Sequence, residues 1–459
     1  MIRKHHIFIS ACMILFISCS RNGNDELPYE NGNDSIDVAD DCPPLTRVIE
    51  EELPIDVLLD KVQKQTLKYF WDFAEPVSGM ARERNTSGNL VTTGGTGFGI
   101  MAMIAGAERG FLEREEVLKR VLKIGNFLME ADRYHGAWSH WINGTTGRTI
   151  PFSAKDDGGD LVETAFLVQG LISAREYFDR TVPLEDSLRA LVDSLWYGVD
   201  WEWYTRGEDV LYWHWSPNFD FEMNHQIRGW NEALIVYILA ASSPAHPVSE
   251  EVYHLGWARN GDIRNGRRFY DIQLPLGVDF GGPLFFAHYS FLGLDPRGLN
   301  DQYAGYWEQN RNHTRINYSY CVANPRDFCN YSDSLWGLTA SDDPDVGYQA
   351  HAPFGNLGRD NGTVSPTAAL SSMPYTPEKS IRALRTFYYY LHDDLWGAYG
   401  FKDAFNFEFK WFADSYLAID QGPVVVMIEN YRSGLLWDVF MRNENINNGL
   451  NTLGFYYDD

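Results

Sequence analysis

The chain has 459 residues, 44% of them hydrophobic and 15% aromatic, enough apolar material to bury a large core as one big domain or two. A formal net charge of -25 and a pI near 4.8 make nucleic acid a poor partner. The same balance tilts against polyanionic substrates, so a neutral glycan fits better than a uronic acid polymer.

The N-terminus reads as an export signal over residues 1–18. Arg3-Lys4-His5-His6 is basic, Ile7 to Ile17 is mostly apolar and too short to span a bilayer, and Phe16-Ile17-Ser18-Cys19 resembles a lipoprotein cleavage box. Cleavage before Cys19 and lipidation of its thiol would tether the mature protein to a membrane, in the periplasm or at the cell surface. Residues 19–50, rich in Asn, Asp, Gly and Ser, read as a flexible tether. Residues 51–459 read as one catalytic domain.

Apolar residues then recur at helical spacing from Val57-Leu58-Leu59 to Trp71, and strand-like alternation is scarce. Further helices are predicted near 97–109, 113–131, 160–178, 184–198, 229–241, 283–293, 299–309, 330–338, 366–373, 377–392 and 423–441. Gly, Pro, Asn and Asp clusters such as Gly94-Gly95-Thr96-Gly97 separate them. The fold class is all-α, and about a dozen helices with long loops is what an (α/α)6 barrel requires.

Five cysteines include Cys12 and Cys19 of the signal; Cys42, Cys321 and Cys329 remain, an odd count that gives no disulfide framework, with Cys321 and Cys329 able to pair. Neither His-Glu-x-x-His nor Cys-x-x-Cys occurs. No catalytic metal and no cofactor is expected.

Candidate chemistry clusters in Asp156-Asp157-Gly158-Gly159-Asp160-Leu161-Val162-Glu163, which sets several carboxylates at the mouth of an apolar helix. Asp156, Asp160 and Glu163 share a face if that helix begins early. Gly158-Gly159 favours another arrangement, with Asp160 as N-cap and Glu163 as the N3 residue of a capping box. The extra acids Asp156 and Asp157 have no place in that structural role. Glu232 opens the apolar run Ala233 to Leu239, where a Glu often serves only to oppose the helix dipole. Its approach, Asn224-His225-Gln226-Ile227-Arg228-Gly229-Trp230-Asn231, is dense in groups able to hold sugar hydroxyls, Arg228 among them. Asp420 also precedes a helix, and reads either as an N-cap ahead of Pro423 or as a functional acid, with Glu429, Tyr431 and Arg432 close behind. The loop Arg82-Glu83-Arg84-Asn85 contributes Arg82, a solvated loop being its default explanation.

Trp138-Ser139-His140-Trp141 and Trp213-His214-Trp215 place indole and imidazole groups in polar loops, where large rings are hard to explain as packing. With Trp230 they are the binding candidates: Trp138, His140, Trp141, Trp213, His214 and Trp215. Acids beside indoles suit glycosidic cleavage, in which one carboxyl protonates the leaving oxygen and a second activates water or attacks carbon.

At Tyr69-Phe70-Trp71-Asp72-Phe73, Ser78-Gly79-Met80-Ala81-Arg82-Glu83-Arg84, the Asp156 to Glu163 segment, Gly229-Trp230-Asn231-Glu232 and Ile419-Asp420-Gln421-Gly422-Pro423, the sequence resembles the bacterial β-1,2-glucanase family, whose domain carries the label glucoamylase or glycoamylase. The resemblance covers about residues 55–455. It implies an (α/α)6 barrel, hydrolysis of β-1,2-glucan to sophorose or short sophorooligosaccharides, anomeric inversion and no metal. Carried over by motif, Glu232 is the general acid, Asp156, Asp160 and Glu163 are acids required for activity, and Asp420 is a further acid in the cleft. The base, and endo against exo action, stay open. Competing readings are an α-glucan glucoamylase, a lyase on a similar helical toroid, and a lipid-anchored glycan-binding protein without catalysis.

Overall fold

The computed structural model describes Cys42, residues 44–329 and residues 331–458. The expected signal segment, Cys19 and most of the tether lie outside the described residues. Helices dominate: α1 (Ile55–Trp71), α2 (Thr93–Glu108), α3 (Arg114–Glu130), α4 (Leu161–Tyr177), α5 (Pro183–Tyr197), α6 (Leu234–Ser242), α7 (Tyr306–Ala323), α8 (Pro366–Ser371), α9 (Pro377–Tyr390), α10 (His392–Leu395), α11 (Ala418–Arg432), α12 (Leu435–Phe440) and α13 (Glu444–Thr452). Among the described residues β-structure consists of one three-stranded sheet, two-stranded ladders and isolated bridges. β1 (Leu90–Thr92) pairs with β2 (Trp141–Asn143), β2 with β3 (Thr149–Ile150), and β4 (Gly159–Asp160) with β5 (His214–Trp215).

The helices are of two kinds. In α3 the buried residues Val117, Val121, Ile124 and Leu128 form one stripe, and α5, α9 and α13 likewise bury one face. By contrast α4 is buried without a break from Leu161 to Ala174, and α2 from Thr93 to Gly106; α6 and α11 are nearly as enclosed. A helix apolar all round has no solvent face and belongs to an inner layer. α2 packs between α4 and α11, α4 also meets α6, and α11 meets α8. Outside them, α1 lies on α2 and α11, α5 on α4, α9 on α8, and α13 on α6.

α2 and α4 approach backbone to backbone. A Cβ on Gly97 would lie 2.1 Å from the Phe166 carbonyl oxygen, and one on Gly170 would lie 2.2 Å from that of Gly97. Gly94-Gly95, expected as a loop, therefore sit inside α2, which begins at Thr93. Other boundaries differ too. The expected helix 283–293 is two 3-10 turns, Leu284–Ala287 and Tyr289–Leu292, and residues 331–338, the described part of the expected helix 330–338, form no helix. The expected helix 423–441 divides at Gly434, whose φ of 77° breaks it into α11 and α12.

Cys329 pairs with Cys42, 287 residues away, and not with Cys321, the partner the sequence allowed. Cys321 is a free thiol buried on α7, where burial pushes it up to about 12. The segment read as tether is docked from there on: Val48 and Ile49 donate to the Tyr389 carbonyl, Arg47 lies over the Tyr389 ring, and Leu45, Ile49 and Leu53 pack on the core around α9. The domain thus reaches back before residue 51. No described helix is long and apolar enough to cross a membrane.

Candidate active site

The first acid cluster is built by the start of α4. Asp160 is its N-cap, with Oδ1 accepting from the Val162 and Glu163 amides at 3.0 and 2.9 Å. The reciprocal half of the expected capping box is absent. Glu163 turns instead toward α2, accepting from the Gly94 amide at 2.7 Å and the Thr92 hydroxyl at 3.3 Å. The free oxygens of both acids face His140, whose Nδ1 lies 3.0 Å from Asp160 and whose Nε2 lies 3.9 Å from Glu163. The β4–β5 register sets His214 opposite Asp160, and its Nε2 reaches Asp156 at 3.2 Å and Asp160 at 3.7 Å. Asp157 stands outside this cluster, taken up by Ser216 and Asn218 in the loop after β5.

Electrostatics follow from this packing. Burial works against a charged His140, but Glu163 and Asp160 outweigh it and raise the imidazole to about 10. Burial would raise Asp160, yet the hydrogen bond from His140 and the neighbouring imidazoles hold it below the usual carboxylate range. Glu163 is raised by burial, with His140 opposing and Asp160 adding to the effect. One ligand atom each from His140, Asp156 and Asp160 lie within 4.8 Å of one another. These atoms are already engaged with one another and with His214, so the cluster is an ion-paired network.

Glu232 does not open α6. It sits in the turn before Ala233, the N-cap, and Leu234 is the first helical residue. The Trp-Asn-Glu sequence explains how it is held. Trp230 anchors the turn in the core against Phe291 and Tyr306, and the Asn231 side chain accepts from the Ala233 amide at 2.9 Å. Ser290 donates to the Glu232 carbonyl while accepting from the Ile235 amide. Burial, with added repulsion from Glu163 and Asp160, raises the Glu232 carboxyl to about 7. It is therefore part-protonated near neutrality, as a general acid must be.

A second cluster lies at the start of α11. Asp420 is in the first turn of that helix and its N-cap is Leu417, so the capping role is excluded. Its Oδ1 accepts from the Tyr289 phenol at 3.5 Å. Asp403 is beside it and accepts from the Asp342 amide at 2.6 Å, while the Asp342 carboxylate meets Arg84 at 3.2 Å and Ser415 at 2.5 Å. Tyr289 joins the two clusters. Burial, then Asp420, Glu232, Asp403 and Glu163, hold its phenol well above its ordinary value, which leaves it a proton donor.

Sequence reasoning missed Asp403, Asp342 and Tyr289, and chose Arg82 where Arg84 is the cluster residue. Arg82 ties its own loop, donating to the Gly88 and Phe73 carbonyls and lying over the Phe73 ring. Trp138 is fully buried, with its indole N–H on the Leu128 carbonyl and Arg133 over its face, so it is core and not a sugar platform. Trp230 is core as well. Tyr431 is exposed near the far end of α11, about 16 Å along the axis from Asp420 at 1.5 Å per residue. Arg228 is exposed and held by Gln226 and the Leu255 carbonyl. Trp141, Trp213 and Trp215 remain half-buried near the acids: Trp141 edges Phe152, which stacks on His140, Trp213 stacks on His225, and Trp215 edges His135.

The raised Glu232 carboxyl has a stability signature. A carboxyl with a folded value near 7 against an ordinary 4.5 favours folding fully below 4.5, and that contribution is lost as pH rises toward 7. The loss is on the order of 3 kcal/mol. Denaturant titrations from pH 4.5 to 8 are expected to show a fall that Glu232→Gln makes shallower; equal slopes in both proteins would contradict the burial cost.

Comparison with known proteins then places the chain. It matches a family profile described as "Putative glucoamylase" over residues 224–444. It is 56% identical to a putative glucoamylase of Bacteroides uniformis, whose structure superposes with a TM-score of 0.86 over 89% of this chain and 99% of that one. An endo-β-1,2-glucanase of Chitinophaga pinensis, solved with sophorotriose and glucose, is 51% identical with a TM-score of 0.86 over 88% of this chain and 99% of that one. An exo β-1,2-glucooligosaccharide sophorohydrolase (non-reducing end) of Parabacteroides distasonis is 46% identical over 439 residues, 91% of this chain. The chain spans 59% of that relative's length.

Proposed function

This chain belongs to the bacterial glucoamylase-like family that includes the β-1,2-glucanases, and on that footing we propose that it is a glycoside hydrolase cleaving β-1,2-glucan to sophorose or short sophorooligosaccharides with inversion. The observation that carries the reading is a carboxyl raised to about 7, Glu232, set between an ion-paired acid cluster and a second cluster under-supplied with partners. We read the enclosed helices α2, α4, α6, α8 and α11, with the buried 3-10 turns at 284–292 in the sixth inner position and the outer helices around them, as an (α/α)6 barrel whose loops hold the cleft.

Glu232 gives its proton to the leaving glycosidic oxygen as a water oxygen bonds the anomeric carbon from the opposite face. The partners on each acid narrow the choice of base. Asp160 has cap amides on one oxygen and imidazoles on the other, Glu163 has Gly94 and Thr92 on Oε2 with the His140 imidazole 3.9 Å from Oε1, and Asp156 has His214 on Oδ2. Asp420 has only the long Tyr289 contact on Oδ1, and we assign it to take the water's proton, directly or through Tyr289. His140, His214 and the half-buried Trp141, Trp213 and Trp215 would bind sugar.

Incubation with β-1,2-glucan and with starch separates this reading from an α-glucan glucoamylase. Reducing ends are expected from the first substrate alone, and the first-formed product, followed by polarimetry, should be the α-anomer. Turnover of starch alone, or a β-anomer, overturns it. We also propose export as a lipoprotein anchored through Cys19; membrane partition of the full chain should vanish in Cys19→Ala.

A further inference from the structure

Three residues that each carry a buried polar atom without a partner line one small cavity. Asp403 Oδ1, Asp420 Oδ2 and Thr66 Oγ1 are buried and unbonded, and their residues line a cavity of about 10 Å³ together with Phe401, Lys402 and Gln421. The residues themselves are at most 2% exposed. That volume holds the centre of a single water, and three polar atoms are the number of partners a buried water normally takes. The two carboxyls are also within hydrogen-bonding reach of each other. Two carboxylate oxygens have no proton to offer, and leaving two such charges buried side by side is far costlier than retaining a proton between them.

We propose that Asp403 is a positioning residue for Asp420, the two carboxyls holding one proton between them beside a single water seated under Thr66. The inference rests on Asp420 being the base. It resolves a difficulty in that assignment: burial and the neighbouring Asp403 and Asp342 push the Asp420 carboxyl well above its ordinary value, and a fully protonated acid takes no proton. With the shared proton on Asp403 and donated to Asp420 Oδ2, the pair carries one negative charge, and Asp420 Oδ1 stays free to accept. In turnover the attacking water loses one proton to Asp420 and Glu232 gives one to the leaving oxygen. The pair then releases a proton to solvent and Glu232 regains one, so the cycle balances.

Other charges around the pair fix the sign of its pH response. Asp342 adds negative charge, Arg84 positive, and Tyr289 and Tyr348 face it as neutral phenols held protonated by burial. Lys402, on the same segment as Asp403, is engaged by Asp414 at 3.0 Å, and Glu83 is held by Arg84 at 3.0 Å. Asp403→Asn keeps an oxygen for the Asp342 amide and offers Asp420 a permanent N–H donor without a neighbouring charge. The Asp420 carboxyl should then fall.

Two readouts test this. Infrared difference spectra of the substrate-free protein, taken well above pH 7 where Glu232 is ionised, should contain a buried protonated carboxyl band in the wild type that both Asp403→Asn and Asp420→Asn abolish. Persistence of the band in either variant overturns the shared proton, and the second variant decides if the first does not fold. The acidic limb of the kcat profile of Asp403→Asn should move down by at least ~1 pH unit with KM unchanged. A lowered Tm with an unmoved limb would make Asp403 purely structural and overturn the proposal. The infrared measurement needs no substrate, so its failure is distinct from a failure of the β-1,2-glucan reading.

Discussion

Glu232→Gln is expected to lower kcat on β-1,2-glucan by at least ~10²-fold while leaving oligosaccharide affinity near the wild-type value. The amide keeps the shape of the carboxyl and lacks the transferable proton. Stability should not suffer, because the backbone of the turn is held by Asn231 and Ser290 and not by the Glu232 side chain. Relief of the buried charge should even raise Tm at neutral pH. Single-turnover kinetics, calorimetric binding of a sophorooligosaccharide and thermal unfolding read the three quantities. Near wild-type turnover, or an unfolded variant, would remove Glu232 from the acid's role.

Gly97→Ala is expected to cost about 4 kcal/mol or prevent folding. In an ordinary helix interior the same change stabilises by about 1 kcal/mol, so the sign is diagnostic. Here the new methyl would lie 2.1 Å from the Phe166 carbonyl oxygen and 2.6 Å from backbone atoms of Phe166 and Leu167, none of which a side-chain rotation can move. Separation of α2 from α4 would also pull the Gly94 amide away from Glu163, so surviving protein should be less active as well as less stable. Urea unfolding and specific activity check both effects, and a Tm within a degree or two of wild type would mean the helices are not so closely set.

Helical class, the two acid segments and Glu232 were legible because each leaves a local trace. Amphipathic α3, α5 and α9 carry an apolar stripe, and their expected limits fall within two residues of the observed ones. α7 was mostly missed since its enclosed face is polar, with Gln309, Asn310, Asn312, His313, Thr314 and Asn317 all buried, so hydropathy has no period to show. α2 was entered late because glycines that mark loops in isolation here permit contact with another helix. Asp403 and Asp342 gave no signal: their meaning comes from Asp420, brought to them only by tertiary structure. Indole reasoning failed at Trp138 and Trp230 for the converse reason. A polar loop sequence does not reveal that its ring points inward.

The Cys42–Cys329 link also has a mechanical consequence. Force applied to the chain ahead of Cys42 meets a covalent rivet before it reaches the backbone hydrogen bonds that hold Val48 and Ile49 to Tyr389, so it is borne by the loop following α7. The load path bypasses α1, which packs directly on α2 and α11. A leash attached at this point can be pulled without peeling open the helices that carry the acids.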